Sequence, residues 1–244
     1  MKYRVALMAA ALAALASPAL SQKAPVLPGP PPTVPLANGA EVSNETATIR
    51  VTALTDSILR VRIARGHDFP EDSSWAVPAT VRAKSVEVEP LASGFETGAV
   101  IVAIDPKSLA VTISDRNGGR IHADLPGAVK FDGPGFTLRK SMPVAEHYYA
   151  LGDKTGSFDR RGSSFVNWAT DSWGFQRDTD PIYKSIPFII SAGGEGGAYG
   201  LFLDNSWRSW FDFGHRDPDT LAISADGGPI DYYHIAGPTV ADVV

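Results

Sequence analysis

The chain has 244 residues, with 22 Lys and Arg against 27 Asp and Glu, and no cysteine. A formal charge of −5 with no basic run argues against nucleic acid as a partner. Without cysteine no disulfide can form, so the fold must rest on its hydrophobic core, which a chain of this length can supply.

Lys2 and Arg4 precede an apolar run from Val5 to Leu15, and a Ser17-Pro18 break and small residues through Ser21 follow. That order predicts a secretory signal peptide over residues 1–21 and an exported, periplasmic or extracellular protein. A retained anchor is the alternative, but the run falls short of the ~20 residues that span a bilayer, so no membrane partner is expected. Residues 22–37 carry Pro25, Pro28, Pro30, Pro31, Pro32 and Pro35. Proline fixes φ and donates no hydrogen bond, so the segment is expected to be an extended tether or, alternatively, a ligand for a proline-recognition module.

The folded part is expected to occupy residues 38–244. Thr48 to Leu54 and Ser57 to Ala64 read as a hairpin; in the second, Leu59, Val61 and Ile63 alternate with Arg60 and Arg62. Val81 to Val88 alternates again, Ala99 to Ile104 is a short apolar strand, and Leu109 to Ile113 runs into a turn at Asp115 to Gly119 before a return strand from Arg120. Gly133-Pro134-Gly135 marks a turn. Further strands are expected at Ile186 to Ser191, Tyr199 to Asp204, Trp207 to Phe213, Thr220 to Ser224 and Ile230 to Ile235. Short strands, Gly/Pro punctuation and no long amphipathic helix predict an all-β, antiparallel sandwich or barrel.

The longest irregular stretch, Gly152 to Lys184, is where function is expected, because long loops in compact β domains usually carry it. Its first part lacks the order of a phosphate loop, and neither Asp153 with Asp159 nor Asp178 with Asp180 has metal-ligand spacing, so no metal is expected. Asp–Arg pairing across a charged hairpin is the expected role of Asp153 to Gly162. Within Phe165 to Trp173, Trp168 and Trp173 flank Asp171. An apolar ring face beside a carboxylate suits a sugar; alternatively the tryptophans plug the end of the sandwich and Asp171 caps a turn.

The blocks Tyr148 to Gly156, Asp159 to Gly162, Trp168-Ala169-Thr170-Asp171 and Asp180 to Phe188 resemble, in order and spacing, glycoside hydrolase family 31. Tyr199 to Asn205, Phe211 to Gly214 and Gly227 to Pro238 are similar to that family's next segments, and Ser74 to Val77 and Leu59 to Arg62 fit more loosely. The resemblance implies a galactose-mutarotase-like sandwich, the N-terminal domain of a retaining α-glycosidase, with α-linked glucosides or oligosaccharides as substrates and no cofactor. In that family a following (β/α)8 barrel carries two aspartates, nucleophile and acid/base, about 5–5.5 Å apart. The sandwich does no chemistry and lends one loop to the rim of the pocket. By motif position its sugar-contacting aspartate is Asp171, with Trp168 and Trp173 shaping the rim.

Two positions depart from the family pattern. Ala169 replaces an asparagine, removing an amide that could bond sugar or loop, and Ala150 replaces a glycine, a change expected to stiffen a strand slightly. Neither Met1, Met8 nor Met142 follows an aspartate, so the barrel's nucleophile block is missing and the chain is expected to be a fragment with no catalytic residue of its own. The alternatives are a free-standing carbohydrate-binding module and an aldose mutarotase, which needs a histidine and a carboxylate on one pocket. Glu146 and His147, as strand neighbours, should face opposite ways. His67, His122, His147, His215 and His234 all read as structural or solvent-facing, with His234 on a strand surface.

Overall fold

The computed structural model describes residues 33–244. The predicted signal peptide and most of the proline-rich segment lie outside the described residues. Among the described residues seventeen strands form two antiparallel sheets. They are β1 (Val34–Leu36), β2 (Gly39–Ser43), β3 (Ala47–Ala53), β4 (Ile58–Arg65), β5 (Glu89–Leu91), β6 (Gly94–Glu96), β7 (Val100–Ile104), β8 (Val111–Asp115) and β9 (Arg120–Asp132). Then come β10 (Gly135–Ser141), β11 (His147–Gly152), β12 (Ser164–Asn167), β13 (Ser185–Gly194), β14 (Gly197–Leu203), β15 (Ser209–Phe213), β16 (Thr220–Ala225) and β17 (Ile230–Gly237). Single helical turns α1 (Ala79–Arg82) and α2 (Val240–Val243) complete the described elements.

One sheet has the order β1-β2-β3-β4-β17-β14-β13-β11, and the other β12-β15-β16-β10-β9-β8-β7-β6-β5. The fold is the expected all-β antiparallel sandwich. The β3–β4 hairpin is in register from Ala47↔Arg65 to Ala53↔Leu59, which puts Ile49, Val51, Leu59, Val61 and Ile63 in the core. The inner faces of both sheets meet over Phe95, Val102, Phe211, Phe213, Leu221 and Ile223, all fully buried or nearly so. Burying such side chains is the main force holding the sheets together, at ~1.5–3 kcal/mol each.

Several local expectations are corrected. Val81 to Val88 is not a strand: Ala79–Arg82 makes one helical turn and the rest is irregular. Alternation there has no partner strand to bond it. Pro35, at the end of the expected tether, lies in β1, which pairs along Val34↔Glu41 to Leu36↔Gly39. An edge strand tolerates proline because one side needs no donor. The irregular stretch after Gly152 contains β12, paired to β15 from Ser164↔Asp212 to Asn167↔Ser209.

His234 is not on the strand surface. It is fully buried, stacked on Tyr199 at 5.1 Å and edge-on to His122 at 5.3 Å, and neither ring nitrogen has a hydrogen-bond partner among the described residues. Beside it Lys140 Nζ reaches Asp124 Oδ1 at 2.7 Å, His122 Nε2 at 3.3 Å and the Tyr232 hydroxyl at 3.2 Å. Lys140, from β10, is 1 % exposed, so this ion pair is interior. Burial would raise the Asp124 carboxyl, but the Lys140 ammonium and the His122 bond outweigh it and hold it below the ordinary carboxylate range. Burial lowers both imidazoles, reinforced by Lys140 at His122 and by His122 and Lys140 at His234.

Candidate functional site

The segment Gly152 to Lys184 leaves β11 at the edge of one sheet, supplies β12 at the edge of the other and returns to β13, and its own backbone and side chains pin it. At its root Ala150, Leu151 and Gly152 take φ of 84°, 74° and 75°. A side chain in that left-handed region is strained by about 1–2 kcal/mol, so Ala150 sits where glycine would relax. The effect of alanine at this position is therefore backbone strain rather than a stiffer strand. Leu151 accepts the same geometry while its side chain is fully buried in the core.

The charged hairpin is not held by Asp–Arg pairs. Arg160, buried, donates to the carbonyls of Ala150, Thr155 and Ser157 at 3.3, 3.3 and 2.7 Å. Arg161 donates to the carbonyls of Pro143 and Glu146 at 2.8 and 3.0 Å. Asp159 instead takes His147 Nδ1 at 2.6 Å and the amides of Tyr148 and Arg161 at 3.1 Å each. Lys154, whose side chain is buried, donates to the Val166 carbonyl at 2.6 Å and to Asp180 at 3.2 Å, while Asp180 accepts the Val166 amide. Burial pushes the Lys154 ammonium down, with Asp180 opposing it. These bonds clamp both flanks of Trp168 to Phe175, and its middle is tied down where the Thr170 amide donates to the Ile182 carbonyl at 3.3 Å and the Ser172 hydroxyl to the Pro181 carbonyl at 3.2 Å.

As expected from strand geometry, Glu146 and His147 face opposite ways. Glu146 is buried and accepts from the Tyr148 hydroxyl at 2.6 Å and Ser191 at 3.0 Å, whereas His147 is exposed. The His234–His122 pair is interior. His147 pairs instead with Asp159, at the root of the hairpin.

Asp171 and Trp173 are exposed on this segment, Trp173 at 88 %. Trp168 points elsewhere, into a groove of about 560 Å³ between this segment and the loops at residues 73–76 and 204–207. The structure thus separates the three residues that the sequence grouped. Trp168 and Ala169 line the groove with Trp75, Ile186, Asp204 and Trp207, among others, while Asp171 and Trp173 lie outside it.

The ion pairs that lead to the groove residues Ser74 and Asp204 were not legible as a site in the sequence. Arg60 and Asp231, both buried, pair at 2.6 Å, and Asp72 bridges Arg60 and Arg82 at 2.8 and 2.9 Å. The bond from Arg60 comes first among the causes that hold the Asp72 carboxyl down to about 2. This bridge brings Ser74 to donate to Asp204 Oδ1 at 2.9 Å. Burial raises the Asp204 carboxyl, with the Ser74 bond opposing it. Asn205 Oδ1 accepts the Trp207 amide at 2.7 Å and its amide nitrogen donates to the Gly227 and Pro229 carbonyls at 2.9 Å, which sets the indole against Gly227 and Gly228. A Cβ on Gly228, at φ 82°, would fall 2.4 Å from that indole.

Residues 48–212 match the model of the glycosyl hydrolase 31 N-terminal galactose mutarotase-like domain. The chain belongs to this family. It is 32 % identical over 208 residues to α-glucosidase 2 of Bacillus thermoamyloliquefaciens, covering 82 % of this chain and 26 % of the relative. It is 35 % identical over 104 residues to α-xylosidase XylQ of Lactiplantibacillus pentosus, covering 43 % of this chain and 13 % of the relative. Among solved structures, a family 31 dextranase of Flavobacterium johnsoniae complexed with isomaltotriose superposes with a TM-score of 0.78 at 22 % identity, over 88 % of this chain and 27 % of that one. That likeness establishes the fold. The chain spans about a quarter or less of the length of these relatives.

Proposed function

We propose that this family 31 sandwich serves as the substrate-rim domain of a longer, exported retaining α-glycosidase of α-glucosidase type. Its segment at Trp168 to Trp173 would border the catalytic pocket, with Asp171 accepting from a sugar hydroxyl and Trp173 covering it. The supporting observation is Asp171 itself: an exposed carboxylate on a segment clamped at both flanks, in a chain 32 % identical over 208 residues to an α-glucosidase. Export is supported by the Lys2, Arg4 and Val5 to Leu15 pattern of the sequence. In this reading the paired carboxylates that retaining hydrolysis requires belong to the rest of such an enzyme.

The test has two arms. The chain alone should not turn over p-nitrophenyl α-glucoside; turnover that survives Asp171→Ala would overturn the reading. In the longer enzyme Asp171→Ala should weaken kcat/KM for α-glucosides about tenfold or more, the scale of one lost charged hydrogen bond.

A further inference from the structure

The proline-rich segment has no part in the role proposed for the rim. It contains Ala24-Pro25-Val26-Leu27-Pro28, with Pro25 and Pro28 in Pro-x-x-Pro spacing, and then Pro30-Pro31-Pro32. Such spacing favours a polyproline helix, whose carbonyls are unbonded and whose proline rings dock on aromatic-lined grooves.

The groove beside Trp168 has the matching surface. Trp75, Trp168, Trp207 and Ile186 are exposed and line it, and Phe202 and Pro229 add apolar wall. Exposed apolar surface gathered in one place marks an interaction site. Indole rings offer flat faces to proline and an N–H donor to its backbone carbonyls. Among the described residues Asp204 is the one charged residue lining the groove, and Lys23 is the one charged side chain in residues 22–33, so groove and segment are opposite in sign.

Strand register shows where the segment enters. Val34↔Glu41, Glu41↔Arg50, Arg50↔Arg62 and Arg62↔Asp231 form one row across the sheet, and the Asp231 carbonyl accepts the Asp204 amide at 2.8 Å. Val34 thus begins β1 at the end of the sheet where β17 begins and β14 ends, which is the groove's end. Five strand steps of ~4.8 Å put Asp204 about 24 Å from Val34. At ~3.1 Å per residue, a polyproline helix puts Pro28 about 19 Å and Pro25 about 28 Å from Val34, so the motif brackets that distance. The loop after β4 shows that a short run of chain crosses the same row: the Arg50 guanidinium lies over the Phe69 ring at 4.4 Å, and Ser74 bonds Asp204.

We propose that the groove is a polyproline-docking surface and that its occupant is this chain's own Pro25 to Pro28 run, packed on Trp168 and Trp207 with Pro30 to Pro32 as the spacer. Tethering raises the effective concentration to roughly millimolar, so a weak contact suffices. The site does not use Asp171, which lies outside the groove, and stands without the reading of that residue.

Indole N–H signals in NMR spectra of the whole chain, assigned by single Trp→Phe variants, test it. Pro25→Ser combined with Pro28→Ser should shift the Trp168 and Trp207 signals and leave that of Trp210, which does not line the groove, in place. Deleting Pro30 to Pro32 keeps the motif, shortens the spacer by about 9 Å and should cause the same shifts. Both changes precede β1, outside every described strand. A synthetic peptide of residues 23–33 should bind the doubly substituted chain, and the intact chain at least about tenfold more weakly, because the tethered copy competes. Indole signals that stay in place in both variants would overturn the proposal. So would a difference that disappears on dilution, which would make the occupant a second copy of the chain. Peptide binding of equal strength to both chains would overturn it too, since the groove of the intact chain would then be open.

Discussion

Replacing Lys140 with methionine keeps most of the side chain's volume and removes only the ammonium from the interior of the sandwich. The Asp124 carboxylate, 2.7 Å away and 4 % exposed, then keeps only the Val111 amide at 3.0 Å and His122 at 3.4 Å. Leaving one partner of a buried pair uncompensated costs about 3–5 kcal/mol. For a domain of this size each kcal/mol moves the melting temperature by about 2–4 °C, so the drop should be about 6–20 °C. Guanidinium denaturation at pH 7 measures the free energy directly. The sign of the pH dependence gives a second check. In the parent protein Asp124 is held below its ordinary range, so its contribution is present above about pH 3.9 and is lost as pH falls through the folded value. Without Lys140 burial dominates, the Asp124 carboxyl rises, and protonation relieves the penalty, so the gap between the two proteins should narrow on acidification. Lys140→Met with Asp124→Leu should recover most of the loss, since an apolar pair of similar volume is neutral or better. A loss under about 1 kcal/mol for the single variant, or a gap that widens toward acid, would refute the reasoning.

Other consequences are open to direct measurement. Ala150→Gly should relieve the left-handed strain at the root of the loop and raise stability by about 1 kcal/mol in urea denaturation; a loss would show that the alanine is unstrained. His122 and His234 are held neutral by burial, so below about pH 6.5 the unfolded chain takes up protons that the folded one refuses, and stability should fall by about 1.4 kcal/mol per pH unit for each. His234→Phe should remove one histidine's share of that slope between pH 6 and pH 5, and an unchanged slope would assign the titration elsewhere. Trp75, Phe158, Trp173 and Phe175 are exposed on the loops at residues 73–77 and 153–184, so the chain by itself should associate at high concentration; sedimentation showing a clean monomer would count against an apolar docking face there.

Sequence alone determined the class of fold, because period-two alternation is a local signal. Leu59, Val61 and Ile63 could be assigned to one face without knowing what lay opposite, and the Asp115 to Gly119 and Gly133 to Gly135 turns could be placed from residue type. The same signal failed at Val81 to Val88, where alternation exists without a neighbouring strand, and at β1 and β12, which are too short to alternate visibly. The family resemblance was likewise legible, since it rests on ordered blocks of residues. What only the tertiary structure decided was which polar groups meet. Lys140 and Asp124 occupy inward positions of β10 and β9, and His234 comes from the opposite sheet on β17, so the interior network has no sequence spacing to reveal it. The groove is the same case: Asn167 ends β12, Ser185 begins β13 and Asp204 follows β14, and they line one groove only because β12 lies at one sheet's edge while β13 and β14 run side by side in the other. Trp168, Asp171 and Trp173, adjacent in sequence, were separated for the converse reason. Once the Lys154–Asp180 clamp fixes the flanks of the loop, one indole turns into the groove and the carboxylate and the other indole are left facing solvent.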